Sequence, residues 1–219
     1  MLEGEVIGNW LHRMVYGYYE VKSFLATEAF DASRHYTAFR HRALTNGGVL
    51  GLESPGMVHR RVLEVRGGWT ETAVLLYIMR GTLTLLLYRY GEAYAHNAAE
   101  KHLFRLALQD KARHLAYGMA HLKYAIERKG QGYARGLQYF LVGAEQDLAK
   151  EMQDPVLWEA LAILCGGGVA HIDAGMAVVQ RLQQEYLAQY IRRLQWVGVP
   201  KTAETLVPGL QAYLPTVAP

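Results

Sequence analysis

Proline constrains this chain more than any other residue. Of 219 residues only six are proline; Pro55 is the only one before Pro155, and the rest follow residue 199. Proline removes a backbone donor and its ring clashes with the carbonyl one turn back, so long spans without it are free to form helices. Within those spans apolar residues recur three and four apart, the helical period, while β-branched residues are dispersed and no alternating run forms. The spacing predicts helices over 5–44, 57–65, 71–94, 99–129, 133–153, 155–163 and 169–196. Thr70 and Asn97 are the predicted N-caps, since a short polar side chain satisfies the free amides of a first turn. Asn46-Gly47-Gly48, Pro55-Gly56, Gly67-Gly68 and Gly130-Gln131-Gly132 are the predicted breaks. The glycines after Cys165 carry no phosphate-loop pattern and predict a kink or a close helix crossing. The expected fold is all-α: a helical bundle over 1–196, then an irregular tail over 197–219 with one short helix near Ala203, broken by Pro208 and Pro215.

Composition narrows the function. The chain is 51% hydrophobic and 20% charged, which is globular rather than disordered. A net charge of +3 argues against a dedicated nucleic-acid protein. The single Cys165 excludes a disulfide pair or cysteine-built metal site within the chain and suits a reducing compartment. No basic stretch followed by an apolar core opens the sequence, so no secretory signal is expected. The most apolar run, 73–88, contains Arg80 and is short for a bilayer. The expectation is a cytoplasmic protein with neither membrane nor nucleic acid as partner.

One pattern occurs twice. Asp-x-x-Arg-His appears as Asp31, Arg34 and His35, and again as Asp110, Arg113 and His114, on the two longest predicted helices. Residues three and four apart share a helix face. The duplication suggests two helical hairpins related by an approximate two-fold axis, with the motifs facing each other inside a bundle.

This pattern resembles the ferritin-like superfamily, in its di-iron oxygenase and ribonucleotide-reductase-small-subunit branch, with the arylamine-oxygenase-like members nearest in flavour. There the motif usually reads Asp-Glu-Ala-Arg-His; the Glu and His bind iron and the Asp stands behind as a hydrogen-bond partner. Two further helices each supply one Glu. "EVKSFLATEAFDASRHYTAFRHRALTNGG" resembles the first ligand helix and its turn, "IMRGTLTLLLYRYGEAYAHNAAEKHLFRLALQDKARHLAYG" a Glu-bearing helix followed by the second ligand helix, and "LAQYIRRLQWVGVP" a C-terminal helix of the group. The resemblance implies a ferritin-like four-helix bundle with additional C-terminal helices, descended from an oxygen-activating oxidoreductase.

The departures are systematic. Ala32 and Lys111 stand where the motif's glutamates belong, and Arg80-Gly81 replaces a Glu-Gly. The first ligand position falls near Leu2, with Glu3 and Glu5 close enough to leave its register open. Hard cations need anionic oxygen ligands, so two imidazoles cannot hold two ferrous ions. Arg80 and Lys111 are expected to replace the metals, balancing Asp31 and Asp110, with each Asp orienting the His of the opposite helix. The value of such a network is that no charge is orphaned, which would cost about 3–5 kcal/mol.

The expected function is thus that of a metal-free ferritin-like protein with a degenerate di-iron site: a non-catalytic partner or scaffold of a related enzyme, a homodimer, or a binder of a small anionic ligand. The ligand would sit in a pocket lined by Tyr, Leu and Met and gated by Arg80 and Lys111. Two rival readings stand beside it. One is a non-haem di-metal oxygenase holding two iron or manganese ions through Glu28, Asp31, His35, Asp110 and His114. The other is a cofactor-free enzyme with His35 or His114 as general base and Asp110 or Asp31 as orienter. Tyr36, Tyr77 and Tyr117 are the tyrosines placed for a radical role. His12, His41, His59, His96, His102, His121 and His171 lack ligand spacing and are expected at the surface or its boundary.

Overall fold

Helix begins at Leu2 in the computed structural model, which describes residues 2–14, 19–48 and 57–214. Among these residues there is no strand, and the fold is all-α. The elements are α1 (Leu2–Leu11), α2 (Tyr19–Thr45), α3 (Met57–Leu63), α4 (Trp69–Ala73), a π-helical segment (Val74–Gly81), α5 (Thr82–Tyr94), α6 (Ala98–Lys129), α7 (Gln131–Gln153), α8 (Pro155–Gly166), α9 (Ile172–Val197) and α10 (Pro208–Gln211), with a 3-10 turn (Val169–His171) before α9.

The single helix expected over 5–44 is two, α1 and α2, and Gly17, a breaker the periodicity passed over, lies outside the described residues. The predicted Pro55-Gly56 break and Pro215 also lie outside them. At α4 the N-cap is Gly68 rather than Thr70: its amide donates to the Glu71 carboxylate at 2.8 Å, and Thr70 is instead buried. Asn97 caps α6 as expected from its chemistry, its side chain accepting from the Glu100 amide at 3.0 Å. Gln183 is buried and donates to the Met152 carbonyl at 3.3 Å.

The core forms around the α4–π–α5 rod, which packs on α6 and α9. By length and composition Trp69–Tyr94 could cross a membrane, yet 67% of its apolar window is buried inside the fold. Val74, Leu75, Ile78 and Met79 are almost fully enclosed, each contributing about 1.5–3 kcal/mol through burial. The π turns have a reason to persist: the buried Tyr186 hydroxyl donates to the Met79 carbonyl at 3.2 Å, and Gly118 leaves the space that the Tyr77 ring fills against α6. A π turn closes a larger ring than an α turn, so side chains beyond it face away from where a 3.6-residue period puts them.

The glycines after Cys165 turn the chain. Gly167 and Gly168 have φ of 80° and 138°, and α8 meets the following helix at 94°. Deeper in the contact, a Cβ on Gly175 would sit 1.8 Å from the Ala162 carbonyl oxygen, so the two helices touch backbone to backbone. Gly175→Ala is expected to cost about 1–3 kcal/mol as overpacking. Gly136→Ala on α7, where a Cβ meets nothing within 4 Å, should be neutral or stabilise by up to about 1 kcal/mol. Urea denaturation of the two variants checks the contrast; equal effects would refute the tight crossing.

The tail departs from expectation. Instead of a helix near Ala203 broken by Pro208, Pro208 starts α10, because the first helical position needs no amide donor. Val199, Leu206 and Leu210 join the core, so residues 198–214 are bound to the bundle rather than appended to it.

Candidate functional site

Helix α2 buries an unusual stripe. Its buried residues are Leu25, Glu28, Asp31, Ala32 and His35, so three of the five inward positions are ionisable. On α6 the corresponding stripe carries Asp110 and His114 among Ala107, Leu115, Gly118 and Leu122. Buried polar side chains need partners, and the two helices supply them to each other. His35 Nε2 lies 2.9 Å from Asp110 Oδ2, and His114 Nε2 lies 3.1 Å from Asp31 Oδ2. Arg34 donates to Asp31 at 2.8 Å and to Asp110 at 2.5 Å; Arg113 reaches Asp31 at 3.1 Å and Asp110 at 2.8 Å. Two carboxylates, two guanidiniums and two imidazoles thus form a closed, pseudo-symmetric ring between α2 and α6.

Charge follows from these contacts. Burial pushes both aspartates up, but hydrogen bonds outweigh it and hold them below the ordinary carboxylate value: Arg34 and His114 on Asp31, His35 and Arg34 on Asp110. Burial lowers both histidines, His114 to about 4 with Lys111 adding to the effect. An ionised carboxylate only accepts, so each neutral imidazole carries its proton on Nε2. Each Nδ1 then presents a lone pair to the interior, and neither has a hydrogen-bond partner among the described residues.

A second layer lies behind His114. Its Nδ1 is 3.4 Å from a Glu3 oxygen and 3.8 Å from a Glu28 oxygen. Glu28 is fully buried; Tyr77, in the π segment, donates its hydroxyl to Glu28 Oε2 at 2.9 Å, and Oε1 has no partner among the described residues. Burial pushes the Glu28 carboxyl up to about 8. Lys111 forms an ion pair with Glu3. Desolvation by burial lowers the Lys111 ammonium to about 7. Phe24 and Tyr117 pack beside this layer with ring centres 4.7 Å apart, and Trp69 donates to the Tyr117 hydroxyl at 3.3 Å.

Several sequence expectations change here. Arg80 does not join Lys111, Asp31 and Asp110: it pairs with Glu151 at 3.2 Å, in a contact that also takes the Val58 amide. The π turns explain why, since they rotate Arg80 toward α7. The proposed Arg80–Lys111 gate is therefore replaced by two separate ion pairs. Leu2 is buried in the core and Glu5 is exposed, so Glu3 is the N-terminal residue that reaches the site. It was legible only as one of three neighbouring candidates. Tyr36 is exposed, while Tyr77 and Tyr117 line the second layer. His12, His41, His96, His102 and His171 are exposed; His121 is partly buried against Thr70 at 3.2 Å, and the His59 side chain lies outside the described residues.

A dinuclear iron centre does not fit this donor set. Ala32 offers no oxygen, Lys111 offers a cation, and no carboxylate of the described residues lies within 4.0 Å of His35 Nδ1. The set with Asp31 and Asp110 as ligands fares no better, because both carboxylates are committed to arginine and Nε2. No protein family, curated protein or solved structure matches the chain.

Proposed function

We propose that this protein is a ferritin-like four-helix bundle whose di-iron site has been dismantled, and that it works as a binding or partner subunit rather than as an oxygenase. One observation carries the reading: each Asp-x-x-Arg-His histidine gives its Nε2 proton to the aspartate of the other copy and turns Nδ1 inward. A carboxylate behind an imidazole is the arrangement that orients a metal-binding histidine, and here it is duplicated while the positions for metal-binding carboxylates hold Ala32 and Lys111. The frame is retained and the dinuclear ligand set is lost.

The general-base reading is weaker. A base works best when its pKa lies near the operating pH, and burial holds His114 neutral down to about 4. A binding role has a physical opening: a groove of about 620 Å³ on α2 and α6, lined by Phe30, Arg34, Thr37, Arg42 and Leu103, shares Arg34 with the ring. A small ligand or a partner's side chain bound there would act directly on the Asp31–Asp110 network. The subunit itself or a related enzyme is the partner this reading calls for.

Restoring the missing carboxylates tests the frame. Ala32→Glu with Lys111→Glu should take up two equivalents of iron per chain on anaerobic ferrous loading, measured by elemental analysis, where the wild type does not. A folded double variant that takes up none would show that the motifs do not sit on a ferritin-like frame. Two equivalents in the wild type would overturn the proposed loss.

A further inference from the structure

Three donors, two of them buried and one partly buried, converge where no dinuclear centre fits. A carboxylate oxygen of Glu3, one of Glu28 and Nδ1 of His114 lie within 4.8 Å of one another. Their separations of 3.4 Å and 3.8 Å from Nδ1 approach the roughly 3–3.5 Å between ligand atoms each about 2.0–2.2 Å from one ion. A second, independent observation points the same way. Among the described residues Glu28 Oε1 and His114 Nδ1 have no hydrogen-bond partner, although their residues are 0% and 2% exposed. Buried unsatisfied atoms in a native fold call for an explanation, and here both are aimed at one point.

The supporting contacts are those of a prepared ligand set. Asp31 holds the Nε2 proton of His114, which leaves Nδ1 as the donor atom, and Tyr77 holds the other oxygen of Glu28. Such outer contacts set the tautomer and direction of first ligands. Only Glu3 is engaged otherwise, by Lys111.

We propose that Glu3, Glu28 and His114 form a mononuclear site for a divalent transition-metal ion, with Lys111 as the competing cation that sets its affinity. Two carboxylates neutralise the ion's charge, and the single imidazole selects manganese, iron, cobalt or zinc over calcium and magnesium. Three protein ligands leave a position open for water or a small anion. Lys111 holds Glu3 Oε2 while Oε1 faces His114, so its ammonium stands beside the ion and competes for the same carboxylate, and removing it strengthens binding. Among the described residues His35 Nδ1 has no such neighbours, which limits the site to one ion. The inference goes beyond the proposed function, because a dismantled di-iron frame need hold no metal.

Cobalt(II) is the probe, since protein-bound Co²⁺ shows visible absorption bands that report its ligands without any activity assay. Titration of the full chain should saturate at one equivalent. Lys111→Met should tighten binding at least tenfold, and Glu28→Gln, which keeps the size of the side chain and removes its charge, should abolish saturable uptake while circular dichroism shows native helix. No saturable uptake by wild type and Lys111→Met together would overturn the site and leave the proposed function standing. Uptake that Glu28→Gln leaves unchanged, or binding that Lys111→Met fails to tighten, would also overturn it. Saturation at two equivalents would overturn both this site and the proposed function.

Discussion

Lys201→Met should destabilise the protein by about 3–5 kcal/mol, the usual cost of leaving one member of a buried ion pair alone. Lys201 and Glu145 are both fully buried, with Nζ 2.7 Å from one Glu145 oxygen and 2.8 Å from the other. The ammonium's remaining donor goes to the Thr205 carbonyl at 2.7 Å, and the Tyr190 hydroxyl donates to Glu145 at 2.9 Å. Every group in this network is satisfied, and removing the lysine orphans a carboxylate that burial already pushes up. The loss should appear in urea unfolding together with release of the tail, since Lys201 ties residues 198–214 to α7. Replacing both partners, Lys201→Met with Glu145→Leu, should recover most of the loss, because a buried pair is seldom worth more than the apolar side chains that could replace it. A single variant costing less than about 1 kcal/mol, on the scale of an exposed pair, would show that the pair is solvated.

Glu28→Gln should alter the pH dependence of stability, and the sign is set by burial. The folded-state value of Glu28 is about 8 against an ordinary 4.5, so the fold prefers the protonated form. The stability this contributes is fully present below pH 4.5 and is lost as the pH rises through about 8, since over that window the native state binds the proton more tightly than the unfolded state. At about 1.4 kcal/mol per pH unit the window spans roughly 4–5 kcal/mol. His114 acts oppositely: its contribution is present above its ordinary 6.5 and is lost as the pH falls through about 4. Comparing the variant with wild type removes the His114 part. With chelator present, the two should be about equally stable at pH 4.5, and the variant should lead by several kcal/mol at pH 8.5. A difference that does not grow with pH would show that Glu28 ionises freely inside the fold.

Much of the site was readable from spacing alone. Asp31 and His35, like Asp110 and His114, are four apart on proline-free helices, so each pair had to share a face; the duplication suggested that the faces meet. That meeting supplies the Nε2–carboxylate contacts, which then determine both tautomers. Glu28 was legible as one turn before Ala32. Arg80 was misplaced because a uniform helical period carries no sign of the π turns over Val74–Gly81, which are sustained from elsewhere by Tyr186 and Gly118. The break between α1 and α2 was missed because apolar spacing continued across it. Lys201 and Glu145 gave no local signal at all: they lie far apart in the chain and neither belongs to a repeat.

Helix formation and face sharing depend on residues within one or two turns, so a helical fold with two Asp-x-x-Arg-His faces available to pair follows from local spacing. Which charge meets which was settled by how the helices pack. That packing joined Lys111 to Glu3 rather than to the aspartates, turned Arg80 to Glu151, and left Glu28 and His114 facing one point with atoms unpaired. Those outcomes depend on helix rotation and on burial across distant segments, where a shift of one residue in register exchanges one partner for another.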